Sequence, residues 1–185
     1  MTNDMTWPDD VLDFWFRELA PEAWFRKDAT VDETIRTRFL GRHEQVVADF
    51  DLAAATGTPG RALATIIVLD QFPRNMFRNT PRAFATDPLA LSVADAAVAR
   101  GLDTSLEKMR RLFLYLPFEH SEALVHQARS VELIGGLGDD DLRRYAVAHS
   151  DIIKRFGRFP HRNVILGRGS TAEELAFLSQ PGSSF

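Results

Sequence analysis

Apolar residues recur every three or four positions along most of the chain. Val11, Leu12, Trp15, Phe16 and Leu19 form one stripe, Ile35, Phe39, Val46 and Phe50 a second, and Leu63, Ile66, Ile67 and Leu69 a third. Leu89, Val93, Ala96 and Ala97 follow, then Leu124, Ala128, Val131 and Ile134. Tyr145, Ala146, His149, Ile152, Ile153 and Phe156 continue the series, and Leu175 and Leu178 end it. Each set lies on one side of an α-helix. Met109, Leu112, Phe113 and Leu116 also share a side, but Leu114 and Tyr115 make Leu106–Leu116 apolar nearly all round, which predicts a central helix.

Boundary residues divide the stripes. Thr6 with Pro8 and Asp9 predicts a capped start, Thr30–Glu33 and Ser170–Glu173 read as capping boxes, and Thr58-Pro59 and Asp87-Pro88 as cap plus first-turn proline. Gly57, Gly101, Gly135-Gly136 and Gly157 mark ends. Pro73 is expected to push Phe72 out of helical conformation, and Pro117 to end the central helix. Ile66-Ile67-Val68 also suits a buried strand, but it lies in a long capped segment and no other stretch offers a pairing partner. The prediction is an all-α fold of eight or nine helices stacked as antiparallel pairs, in a single domain over residues 1–185.

Composition adds limits. The 185 residues carry a net charge of -4, which argues against a general nucleic-acid binder. The absence of cysteine excludes disulfides, thiolate metal sites and cysteine nucleophiles. No apolar run has the length of a membrane span, and MTNDMTWPDD lacks the features of a secretory signal, so a cytoplasmic location is expected.

Against the acidic average, three polar clusters sit at proline-marked helix boundaries with aromatics beside them. They are Asp70, Gln71, Arg74, Asn75 and Arg78; then Glu119, His120 and Glu122; then His149, Arg155, Arg158, His161, Arg162, Asn163 and Arg168. Arginine forks take carboxylates or phosphates in two-point fashion, and histidine moves protons near neutrality. If the clusters converge, they build one cationic pocket. The competing reading is structural: the arginines pair with Asp70, Glu119 and Glu122, cap helices and cover rings. His149 lies on an apolar stripe, so it is expected to be buried and hydrogen-bonded. The metal-binding H-E-x-x-H and Glu-x-x-His signatures, the phosphate loop and G-x-S-x-G are all absent, and no metal or cofactor is expected.

Phe14-Trp15, LDQFPRNMFR (Leu69–Arg78), YLPFEHSE (Tyr115–Glu122) and FGRFPHRNVILGR followed by Ser170-Thr171 are long, unusual strings. Through them the chain resembles the bacterial domain-of-unknown-function family 924 over nearly its whole length. The resemblance implies a tetratricopeptide-like array of helix pairs. It implies no reaction.

Three functions fit the residues. The first is a module that binds an anionic small molecule or a peptide carboxylate through Arg74, Arg155, Arg158 and Arg162. The second is a small enzyme with His120, His149 or His161 as general acid or base and the arginines stabilising negative charge. The third is a protein-interaction scaffold, by fold analogy alone.

Overall fold

A computed structural model describes residues 7–183, and among them every regular element is helical. The expected cap at Thr6 lies outside the described residues. The chain forms two compact units. One contains residues up to Arg78 together with Arg82–Pro117; the other contains Asn79–Pro81 and everything from Phe118 onward.

In the first unit, α1 (Trp7–Asp13) runs into a π-helical turn over Phe14–Glu18, where the Leu19 N–H reaches back to the Phe14 carbonyl at 3.0 Å. The wide turn changes the phase of the stripe. Phe14 and Trp15 are both buried, while Phe16 lies at the margin. The second helix, α2 (Ala29–Ala48), begins two residues before the expected box. Asp28 is extended, and its carboxylate accepts from the N–H groups of Thr30 and Val31, so Thr30 lies inside the first turn. Its buried face is Ile35, Phe39 and His43. The helix stops at Ala48, well before Gly57, because Asp51 caps a separate short helix α3 (Leu52–Ala55).

Thr58 caps α4 (Pro59–Ile66) as expected, through the Arg61 N–H at 3.1 Å. The chain then stays helical. A π turn spans Ile67–Gln71 and α5 follows at Phe72–Met76. Phe72 has φ -57° and ψ -41°, so Pro73 does not break the helix. The wide turn makes room for the ring, and side chains serve carbonyls there. The Val68 carbonyl lies 3.0 Å from His43 Nδ1, Leu69 accepts from the Thr86 hydroxyl at 2.5 Å, and Asp70 accepts from Arg74 at 2.6 Å. The helix α6 covers Asp87–Ala99 and α7 covers Lys108–Glu119. Pro117 sits within the last turn of α7 and the helix runs only two residues past it. Within this unit α1 and α6 pack on α4, and α2 packs on α5. Phe72 lies at the centre of the aromatic core, with ring centroids 4.7 Å from Phe39, 5.8 Å from Trp15 and 6.2 Å from Phe14.

In the second unit, α8 (Leu124–Gly135) and α9 (Asp140–Phe156) pack together as a helical hairpin. The buried face of α8 is Gln127, Ser130 and Ile134, whereas Leu124 and Ala128 are exposed. The apolar stripe included Ile134 but missed the other two positions because they are polar. Gln127 is fully buried, and its amide donates to the carbonyls of Glu119 at 2.7 Å and Ser121 at 2.6 Å. It therefore clamps the turn that carries Glu119 and His120. Asp139 caps α9, and Gly157, at φ +70°, ends it in the left-handed conformation that glycine reaches without strain. Ile152, Ile153 and Phe159 form a small core with Phe156 and Phe177 against it. The last helix, α10 (Ala172–Leu178), has a capping box one residue later than expected, Thr171 with Glu174. No helix among the described residues is long and apolar enough to cross a membrane.

Candidate functional site

The first cluster lies in the first unit, where carboxylates meet its arginines. Arg74 forks Asp87 at 2.8 and 2.9 Å and lies 3.1 Å from Asp70. Gln71 donates to Asp70 at 2.6 Å. Arg78 forks Asp32, and Asn75 donates to the same carboxylate at 2.8 Å. Asp32 and Asp87 stand in the first turns of α2 and α6. Both were missing from the sequence-derived site. In the sequence Asp87 reads as a helix cap and Asp32 as part of a capping box, which hid their role as arginine partners; the cap position of α6 is in fact Thr86.

The second and third clusters meet in the second unit. Glu122, from the α7–α8 turn, accepts a fork from Arg168 at 2.7 and 2.9 Å and the Phe159 N–H at 2.8 Å. Burial raises the pKa of this carboxyl, but the Arg168 and Phe159 hydrogen bonds together outweigh it and hold the group below its usual range. Asn163 is fully buried and braces the fork, accepting from Arg168 at 3.0 Å and donating to Ser170 at 3.1 Å. Arg158 forks Glu174 at 2.7 and 2.9 Å, and that bond, with the Thr171 N–H, lowers the Glu174 pKa to about 2. Arg155 pairs with Glu173 at 2.8 Å, both exposed. The structural reading of the arginines thus describes Arg155, Arg158 and Arg168 well.

A different group gathers around Phe159. His149 is buried, its ring edge-on to Phe159 with centroids 5.7 Å apart. The Arg162 guanidinium lies 4.5 Å from the Phe159 ring centroid and donates to the His120 carbonyl at 3.0 Å. The His161 ring lies 5.6 Å from Phe159. His149 Nδ1 lies 2.9 Å from the Tyr145 carbonyl and 3.6 Å from Glu119 Oε1. A carbonyl only accepts, so Nδ1 carries the hydrogen and Nε2 the lone pair. Burial is the main cause that lowers the His149 pKa to about 3, against the Tyr145 carbonyl; the positive charges of His120, Arg162 and His161 lower it further. Among the described residues, no three His, Asp or Glu side chains are placed to hold a metal ion.

The neutral imidazole has a consequence for stability. An unfolded histidine takes up its proton near pH ~6.5, whereas His149 in the folded chain does so only near 3. Between those values the unfolded state binds more protons, so this residue makes stability fall as pH falls, by about 1.4 kcal/mol per pH unit. His43, lowered chiefly by burial, acts with the same sign. In urea unfolding between pH ~6.5 and ~4.5, His149→Gln is expected to flatten the pH dependence by that slope. An unchanged slope would mean that the ring is solvated.

Comparisons place these residues among relatives. The chain is similar to the solved structure of ATU0120 from Agrobacterium tumefaciens, a protein of unknown function, at 42% identity with a TM-score of 0.87. The match covers 93% of this chain and 96% of that one. No curated protein matches. The profile of the bacterial proteins of unknown function DUF924 matches residues 11–182, which hold all three clusters, and the chain belongs to that family.

Proposed function

We propose that the second unit binds a small molecule or peptide end through a carboxylate or phosphate group, held by His120, His161 and Arg162. The gathering of His149, His161 and Arg162 around the Phe159 ring, with Arg162 also on the His120 carbonyl, supports this reading. Arg162 is 7% exposed, and an anion reaching it displaces little water, which strengthens a charge-assisted hydrogen bond. Arg155, Arg158 and Arg168 hold Glu173, Glu174 and Glu122 and so build the frame. The arrangement of helix pairs as a tetratricopeptide-like array belongs to the same proposal, as does a cytoplasmic location. Calorimetric titration with phosphate, acetate and a short peptide with a free C-terminus tests it. Saturable binding is expected, weakened about tenfold or more by Arg162→Gln and unaffected by Arg155→Gln. Equal binding by Arg162→Gln, or no saturation with any of the three, would refute it.

A further inference from the structure

A pocket lies in the first unit, away from every residue singled out by the motifs. It is a cavity of about 110 Å³ whose lining includes Trp7, Arg42, Gln45, Asp49, Asp51 and Arg61. The guanidinium carbons of Arg42 and Arg61 lie 5.4 and 5.7 Å from the Trp7 ring centroid. Arg61 Nε is buried and has no hydrogen-bond partner. Neither Arg61 nor Asp49 makes an ion pair among the described residues, although both line this one cavity.

Their positions make this unusual. Arg61 is in the first turn of α4, the positive end of the helix. Asp49 is the residue that follows α2, at its negative end. Each charge sits where the helix dipole disfavours it, so neither is explained by helix stability. Asp51 has such an explanation, because it caps α3. A cation and an anion that line one cavity and pair with no other charge are both answered by a ligand bearing both charges.

We propose that this pocket binds a small zwitterion of the α-amino acid class, its carboxylate on Arg61, its ammonium group on Asp49 and its short side chain against Trp7. Two-point binding makes the pair of charges on one molecule bind better than either alone, because the second contact forms at high effective concentration.

The test is an NMR titration of the full, nitrogen-15-labelled chain with alanine, acetate and ethylamine, following the Trp7 indole N–H. The Trp15 and Trp24 indoles report whether the fold is kept. Alanine is expected to shift the Trp7 signal saturably, with acetate and ethylamine each about tenfold weaker or worse. Arg61→Gln and Asp49→Asn are each expected to weaken alanine by about tenfold or more without moving the Trp15 and Trp24 signals. If Arg61→Gln does not fold, Asp49→Asn decides alone. Acetate binding as tightly as alanine, alanine binding unchanged in Asp49→Asn, or no saturation with any probe would each overturn the proposal.

Discussion

Asp70→Ala should cost about 3–5 kcal/mol of stability. The carboxylate is fully buried and lies 3.1 Å from Arg74, whose side chain is 19% exposed. Removing it leaves a mostly buried guanidinium with half its counter-charge and strips Gln71 of its acceptor. Asp87→Ala should cost less, because Asp87 is 21% exposed and Arg74 then keeps Asp70. The double variant Asp70→Ala, Arg74→Met should recover part of the loss, since the stranded charge is gone. Urea unfolding of the three variants measures all of this. A loss below about 1 kcal/mol for Asp70→Ala would show that Asp87 and water suffice for Arg74.

Phe72→Ala is the second large effect, again about 3–5 kcal/mol. The ring is fully buried, stacked on Phe39 and edge-on to Phe14 and Trp15. Those neighbours come from α2 and from the π turn after α1, so no single element can move to refill the space. Phe25 offers a control. It is 65% exposed, and although its ring stacks on Phe113, its truncation should cost far less. Near-UV dichroism should also fade in Phe72→Ala as the aromatic packing loosens. Equal losses at Phe72 and Phe25 would refute the central place given to Phe72.

The all-helical fold was legible because stripes and caps repeat with few exceptions. Two exceptions share a cause: the sequence rules count α-helical turns, and the turns at Phe14–Glu18 and Ile67–Gln71 are π-helical. Phe14 joined the core, and Phe72 stayed helical before Pro73, only because each lies at a wide turn. The polar face of α8 was hidden for a different reason. Gln127 is buried to satisfy backbone carbonyls 6 to 8 residues earlier, and no apolar pattern records that. At the site, the motifs brought Glu119, His120, His149, His161 and Arg162 into view together. They offered Asp70 and Glu122 as arginine partners, but not the carboxylates held by Arg78, Arg155 and Arg158 or the second one on Arg74, because Asp32, Asp87, Glu173 and Glu174 stand outside the motifs that held those arginines.

The π turn at Ile67–Gln71 also sets how the first unit tolerates changes in length. A π turn holds one residue more than an α turn. Deleting a single residue there would close it to ordinary helix and leave the helix beyond it near its present phase, with Arg74 still toward Asp87, and Asn75 and Arg78 toward Asp32. Inserting one more residue has no such outlet, because the turn is already wide, and as ordinary helix it would rotate everything beyond it by about 100°. Substitutions in this stretch have graded effects, one contact at a time, whereas a one-residue insertion disconnects three side chains at once. The first unit is therefore built to lose a residue at this turn more easily than to gain one.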